Sequence, residues 1–301
     1  MTAATGDAVG DIVTTEITDP WLGYLAEPVR GGGDEGGDGD DREAAGVLIL
    51  AGASGAIAED RCRLLAEEGL TALSIRWRGG PGQAAGICEI PLETFTAAID
   101  LLEEKGLRRF GVLAFSKGTE AAMLLAVRDP RVGGVVAISP TSVVWANNGP
   151  GLDGEARPYR SCWIWQGVPL PFTPYDDEWR VPDDQASLSF FEHSMETFAE
   201  QAREAAVPIE ETAARVLLVA GADDRIWPSL PFAQDLLARG LAAGRRISLI
   251  SSPEAGHRVT LPGMETPESG RFRYGGTAEA DAALGAEAWP HVLDVLRGTA
   301  D

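Results

Sequence analysis

The chain alternates short apolar runs with longer stretches in which apolar residues recur every three or four positions. Six runs have the length of a buried strand, at residues 46–51, 71–77, 110–115, 132–139, 214–220 and 246–251. Between the runs the period is helical; in residues 91–105, Phe95, Ile99 and Leu102 fall on one helix face. Strands alternating with helices at this spacing predict an α/β fold with a doubly wound, mostly parallel sheet.

The N-terminal part of the chain has a different pattern. Residues 11–17 and 21–29 alternate polar and apolar positions around Asp19-Pro20, which predicts an antiparallel hairpin at one edge of the sheet. Residues 31–43 hold glycines and charged residues with no apolar one, which predicts a flexible exposed loop. Residues 1–10 are expected to be a disordered tail, and residues 11–301 a single domain.

The regular alternation stops between residues 140 and 206. Prolines, glycines and aromatic residues dominate the first part, and residues 188–206 have helical periodicity. An excursion of this length in an α/β domain indicates a lid or the wall of a pocket. Packing of a long loop onto the domain is an alternative, because aromatic side chains suit both roles. Trp145, Trp165 and Phe172 are the candidate substrate-binding residues in this region.

Composition and charge narrow the class of protein. The chain has 301 residues, 45% of them hydrophobic, and no apolar run approaches the roughly 20 residues of a membrane span. The first residues lack the basic and apolar pattern of a secretion signal. The three cysteines have no disulfide or metal spacing, so we expect a cytoplasmic protein without a metal or cofactor. The net charge of −21 argues against nucleic acids and anionic membranes as partners.

A serine lies at the turn between the third apolar run, residues 110–115, and the helical stretch that follows it. The local motif is Ala114-x-Ser116-x-Gly118, which departs from G-x-S-x-G only at its first position. A serine on such a turn is held out at the carboxyl end of the sheet, next to the backbone N–H groups of a helix start. Ser116 is therefore a candidate nucleophile, although a serine that caps an ordinary βα turn would give the same pattern.

The chain has three histidines, and their positions differ. His193 and His291 fall within predicted helices, whereas His257 follows a predicted strand directly and is the candidate base. Asp223 and Asp224 follow the preceding strand and are candidates for the acid that orients an imidazole. Asp224 is favoured and Asp223 remains the alternative. The order serine, aspartate, histidine is that of α/β-hydrolases.

Several segments resemble the catalytic domain of the acyl-CoA thioesterases and bile-acid-CoA:amino-acid N-acyltransferases, within the α/β-hydrolase fold. They include GASGAIAEDRCRLLAEEGL, FSKGTE, WQGVPLPFTPY, the aspartate-containing VLLVAGADDRIWPS and the histidine-containing PEAGHRVTLP. The resemblance implies cleavage of an acyl thioester through an acyl enzyme, with Ser116 as nucleophile, Asp224 as acid and His257 as base. It also implies an oxyanion hole made by the backbone N–H groups of Lys117 and of residues 54–56, with Gly55 as the favoured donor.

The resemblance leaves alternatives open. Serine at position 116 favours hydrolysis, because the amino-acid-conjugating members carry cysteine there. A carboxylesterase or dienelactone-type hydrolase, an acyltransferase to an amine and a binding protein on the same fold are the rivals. Family members commonly carry a β-sandwich before the catalytic domain, and residues 1–45 are too few for one of about 100 residues. Arg78, Arg157, Arg160 and Lys117 are the candidate partners of coenzyme A phosphates.

Overall fold

The computed structural model describes residues 6–9, 11–29, 45–180, 187–265 and 272–298. The strands are β1 (Gly6–Val9), β2 (Ile12–Ile17), β3 (Gly23–Pro28), β4 (Ala45–Leu50), β5 (Thr71–Ile75), β6 (Ile90–Pro91), β7 (Arg109–Phe115), β8 (Val132–Ile138), β9 (Trp163–Trp165), β10 (Val168–Pro169), β11 (Arg215–Gly221) and β12 (Ile247–Ser252). The helices are α1 (Glu59–Glu67), α2 (Glu93–Glu104), α3 (Gly118–Arg128), α4 (Leu188–Thr197), α5 (Ala199–Glu204), α6 (Ser229–Ala242) and α7 (Ala278–Arg297). A short 3-10 helix spans Ile209–Glu211.

Nine strands form one sheet in the order β1-β2-β3-β5-β4-β7-β8-β11-β12. All pairs from β5 to β12 are parallel, as the alternation of strands and helices predicts. The predicted hairpin is present, because β2 and β3 pair antiparallel with Ile12 opposite Pro28. Residues 1–10 were expected to be disordered, but Gly6–Val9 form the strand β1. This strand pairs antiparallel with the outer edge of β2. Residues 1–5 and 10, and the loop at 31–43, lie outside the described residues.

The central strands are buried on both faces, and each face has its own core. All residues of β4 are buried. Leu48 and Leu50 belong to a core that includes residues of α2, α3 and α6. Val47 and Ile49 belong to the opposite core, which includes residues of α1 and α7. Successive side chains of a strand point to opposite faces, so helices must cover both.

The excursion at residues 140–206 folds into several short pieces. Its strands β9 and β10 form a separate three-stranded sheet with β6, which lies before α2 in the chain. Trp163 of β9 is fully buried and packs on Trp77 and Phe95, with ring centroids 5.5 Å and 5.9 Å apart. The single helix predicted over residues 188–206 is two helices, α4 and α5, because Phe198 between them has φ −110° and ψ 40°. No helix within the described ranges is long and apolar enough to cross a bilayer.

Candidate active site

The turn between β7 and α3 holds Ser116 in an uncommon backbone conformation. Its φ is +49°, in the left-handed region that few residues with a side chain adopt. Gly118 permits the turn, because a Cβ atom at that position would lie 2.5 Å from the carbonyl oxygen of Ala51. Ala114, which replaces the usual glycine, is fully buried in the sheet opposite Leu50 and Ala137. The motif therefore keeps the glycine that the close approach of α3 to β4 requires.

The structure brings Ser116, His257 and Asp224 into one hydrogen-bonded chain. The Oγ of Ser116 lies 2.9 Å from Nε2 of His257, and Nδ1 of His257 lies 2.7 Å from Oδ2 of Asp224. The other carboxylate oxygen of Asp224 accepts hydrogen bonds from the backbone N–H groups of Ile226 (2.8 Å) and Trp227 (3.3 Å). A carboxylate fixed in this way favours the tautomer with hydrogen on Nδ1, which leaves Nε2 free to accept the serine proton.

Asp223, the alternative acid, has other partners. One of its oxygens lies 2.6 Å from a guanidinium nitrogen of Arg225, and the other accepts the backbone N–H of Gly276 at 2.9 Å. Gly275 packs so closely here that a Cβ atom would lie 1.6 Å from the Asp223 carbonyl oxygen. Of the two adjacent aspartates, Asp224 is the one that contacts His257.

The loop that carries His257 is fixed from several sides. The backbone N–H of His257 donates to the carbonyl of Tyr274 (2.9 Å), and its own carbonyl accepts from Oγ of Ser139 (2.9 Å). The neighbouring N–H of Gly256 donates to Oδ1 of Asp281 in α7 (2.7 Å). Burial raises the pKa of Asp281, and the Gly256 N–H opposes that shift. Trp227 packs edge-on against the imidazole, with centroids 5.8 Å apart.

The oxyanion-hole assignment needs one correction. No described residue accepts a hydrogen bond from the backbone N–H of Lys117, which lies between Ser116 and the first residue of α3. The N–H of Gly55, in contrast, donates to the carbonyl of Gly52 at 2.9 Å, so the turn already uses it. Gly55 has φ +59°, and a Cβ atom there would lie 2.4 Å from Cγ of Arg78, so its role is to form the turn. The N–H groups of Ala53 and Ser54 have no acceptor among the described residues.

The side chain of Lys117 is buried beneath the turn and binds Glu120. Its Nζ lies 2.5 Å from Oε1 of Glu120, whose other oxygen accepts the indole N–H of Trp163 at 2.8 Å. Burial raises the pKa of Glu120, and Lys117 opposes that shift. Because this ammonium group is enclosed and paired, Lys117 does not present a charge to a phosphate in this conformation.

A cavity of about 290 Å³ lies beside Ser116 and His257. Its apolar wall includes Phe115, Ile138 and residues from the loop after His257, namely Val259, Leu261 and Met264. Its charged residues are Arg61, Arg258 and Glu265. This wall could not be predicted from hydrophobic periodicity, because the loop after His257 has none. Residues 258–264 follow His257 directly in the sequence, and this closeness is the signal that would have indicated the cavity wall.

The three aromatic residues predicted to bind substrate do not line this cavity. Trp145 is fully buried, donates its indole N–H to Thr141 (3.0 Å) and stacks on Tyr175. Trp165 and Phe172 pack against the core shared with α2 and α3. Trp145 thus belongs to a separate aromatic core, whereas Trp165 and Phe172 pack on the main core. A role for the three rings in binding substrate stays a prediction.

The other residues considered from the sequence have structural partners. Arg157 pairs with Asp177 at 2.9 Å, and Arg160 pairs with Glu89 at 2.8 Å and with Asp153 at 3.0 Å. Arg78 donates to the carbonyl groups of Ser54 and Ala85. His193 lies 3.0 Å from Asp176, and His291 is exposed on α7. Among the described residues, no group of His, Cys, Asp and Glu side chains has the arrangement of a metal site.

Solved structures with the same fold cover most of the chain. A candidate dienelactone hydrolase from Klebsiella pneumoniae is 15% identical and superimposes with a TM-score of 0.56 over 95% of this chain and 98% of its own. An acylaminoacyl peptidase from Pyrococcus horikoshii is 12% identical, with a TM-score of 0.51 over 87% of this chain and 38% of its own. These similarities concern the fold alone, and they confirm the predicted α/β-hydrolase fold.

Sequence relatives confirm the predicted resemblance. Mouse bile acid-CoA:amino acid N-acyltransferase is 24% identical over 84% of this chain and 59% of its own length. Human acyl-coenzyme A thioesterase 6 is 25% identical over 90% of this chain and 64% of its own length. The chain thus spans about 59% and 64% of these two relatives. Residues 90–299, more than half of the chain, match the family model described as BAAT / Acyl-CoA thioester hydrolase C terminal, so the chain belongs to this family.

Proposed function

We propose that the protein is a serine hydrolase that cleaves acyl thioesters, such as acyl-CoA, through an acyl enzyme. The observation that carries the proposal is the chain of contacts from Ser116 Oγ to His257 Nε2 (2.9 Å) and from His257 Nδ1 to Asp224 (2.7 Å). Membership of a family named for acyl-CoA thioester hydrolases supports a thioester as the substrate. Serine at position 116 favours water over an amine as the acceptor.

The first half of the reaction forms the acyl enzyme. His257 takes the proton of Ser116 as Oγ attacks the thioester carbonyl carbon, and Asp224 stabilises the imidazolium that results. The backbone N–H of Lys117 and one N–H from Ala53 or Ser54 bind the oxyanion. The carbon–sulfur bond then breaks, and the thiolate leaves and takes the proton from His257.

The second half releases the acid. His257 removes a proton from a water molecule, which attacks the acyl-enzyme carbonyl at the same oxyanion hole. The bond to Ser116 Oγ breaks, His257 returns the proton to Oγ, and the carboxylic acid leaves. The net reaction is one thioester plus one water giving one acid and one thiol.

The test is thiol release from a panel of short, medium and long acyl-CoA esters by the purified protein. We expect Ser116→Ala to lower kcat by at least about 10⁴-fold. Ser248→Ala, at an exposed position of β12 far along the strand from the loop, is the matched control and should retain the wild-type rate. Unchanged thiol release by Ser116→Ala would exclude Ser116 as the nucleophile.

The same assay separates the rival activities. Addition of glycine or taurine followed by detection of an N-acyl product would identify an acyltransferase. Cleavage of p-nitrophenyl esters with no cleavage of any thioester would identify a carboxylesterase. Free acid formed in a Ser116-dependent reaction is the result that the proposal requires.

A further inference from the structure

Arg61 lies in the wall of the Ser116 cavity. It belongs to the first turn of α1, and its guanidinium carbon sits 3.7 Å above the centre of the Phe115 ring, the residue before the nucleophile. Arg61 and Met264 also line a second cavity of about 400 Å³ at the start of α1. The guanidinium therefore stands where the cavity beside Ser116 meets a neighbouring one.

This guanidinium has no polar partner among the described residues. Its Nε is buried and has no hydrogen-bond acceptor, and no described side chain forms an ion pair with it. Arg63, two residues later, shows the contrast, because it lies 3.5 Å from both Glu59 and Asp60. Burial lowers the pKa of Arg61 to about 10, so the side chain is still a cation at neutral pH.

A buried N–H without an acceptor is costly, and Arg61 keeps its Nε in that state although the residue as a whole is only partly buried. The Phe115 ring offsets part of the cost through a cation–π contact, but it leaves the N–H groups unused. A guanidinium offers a planar fork of donors that matches the two oxygens of a carboxylate or phosphate. The donors of Arg61 therefore suit an oxyanion.

We propose that Arg61 binds an oxyanion of the substrate, and this inference rests on the proposed thioesterase function. The oxyanion has two possible sources, a carboxylate at the far end of the acyl group or a phosphate of the thiol carrier. The cavity beside Ser116 holds about 290 Å³, about ten times the roughly 30 Å³ that a water molecule occupies in the liquid. This volume fits a short acyl group.

The experiment compares four thioester substrates, which combine two acyl groups with two thiols. Glutaryl and pentanoyl thioesters have the same number of carbons and differ in the terminal carboxylate. Each is made on coenzyme A and on N-acetylcysteamine, which has no phosphate. The variants are Arg61→Gln and Arg61→Lys, with Arg63→Gln as the matched control because Arg63 is exposed on the same helix.

Arg61→Gln should lower kcat/KM by at least about 10-fold for the substrates that carry the oxyanion, mainly through KM. A loss for both glutaryl thioesters and neither pentanoyl one assigns the acyl carboxylate. A loss for both coenzyme A esters and neither N-acetylcysteamine one assigns the phosphate. Arg61→Lys should recover only part of the loss, and Arg63→Gln should change none of the four rates by more than about 2-fold.

An equal loss for all four substrates, or no loss for any, would overturn the inference. A second measurement does not depend on turnover: binding of glutarate, pentanoate and inorganic phosphate to Ser116→Ala, with and without Arg61→Gln, by calorimetry. The proposed function fails separately, if the wild-type protein cleaves no thioester in a Ser116-dependent reaction. Thermal unfolding of the variants is a third measurement: removal of an unpaired, partly buried cation should leave Tm unchanged or raise it, whereas loss of a structural residue would lower it.

Discussion

Asp223 and Asp224 are neighbours in the chain, but their carboxylates fix different parts of the molecule. The side chain of Asp224 is 2% exposed and contacts His257, while that of Asp223 is 38% exposed and contacts Arg225. Adjacent residues after a strand point in different directions, so one turn can place one carboxylate inward and the other toward solvent. At the scale of single residues, burial and not residue type separates the two roles.

This difference predicts opposite results from the same substitution. Asp224→Asn should lower kcat by about 10⁴-fold, because an amide no longer holds the imidazole in the reactive tautomer. Asp223→Asn, the matched control, should retain kcat within about tenfold, because it loses mainly a surface ion pair worth about 1 kcal/mol or less. Steady-state kinetics of both variants on one thioester checks this. Greater inactivation by Asp223→Asn would show that the wrong aspartate has been assigned.

At the scale of elements, the start of α3 rests on a buried ion pair. Lys117 directly precedes this helix and Glu120 lies on its first turn, and their side chains are 6% and 0% exposed. The same glutamate accepts a hydrogen bond from Trp163 in β9. The pair therefore ties the turn that holds Ser116 to β9 of the small sheet.

Breaking this pair should destabilise the protein strongly. Glu120→Gln leaves the Lys117 ammonium buried without a counter-ion, which we expect to cost roughly 3–5 kcal/mol in the free energy of unfolding. The double variant Lys117→Met, Glu120→Gln should recover much of that loss, because it removes the unpaired charge and keeps the backbone N–H. Urea denaturation measures both.

Glu104→Gln, an exposed position at the end of α2, is the control for the loss of one carboxylate. It should stay within about 0.5 kcal/mol of the wild type. If the single and double variants at the buried pair are equally unstable, the pair does not act as a unit.

At the scale of the whole molecule, residues far apart in the sequence meet because parallel strands end at one edge of the sheet. Ser116 follows β7, Asp224 lies just beyond β11 and His257 lies beyond β12. Each position could be predicted, because each residue type comes directly after an apolar run and the order is that of one fold. Hydrophobic periodicity likewise located the central strands to within about two residues.

The rest could not be predicted, for physical reasons that differ from residue to residue. The use of the Gly55 N–H depends on the type of turn, and a sequence of small residues permits several. An aromatic ring such as Trp145 is as favourable in a core as in a pocket, so composition does not distinguish the two. Arg61 follows two acidic residues, which indicates a surface ion pair, and only packing on Phe115 makes it a wall of the cavity.

Ser116 follows a central strand, β7, whereas His257 follows β12 at the edge of the described sheet. The strand β7 lies between β4 and β8, whereas β12 closes the order of the described sheet and pairs with β11 alone. The residues of β12 are mostly partly exposed. Because an edge strand opens more readily than the centre of a sheet, His257 should detach from Ser116 before the molecule unfolds.

Urea should therefore inactivate the protein at a concentration below the midpoint measured by far-ultraviolet circular dichroism. Hydrogen exchange should be faster in β12 than in β7, and coincident loss of activity and of circular dichroism would contradict this order. The chain would then pass through a form that retains its fold and the position of Ser116 but in which His257 no longer contacts Ser116. Activity would therefore withstand less denaturant than the fold does, because it depends on the attachment of β12 at the edge of the described sheet.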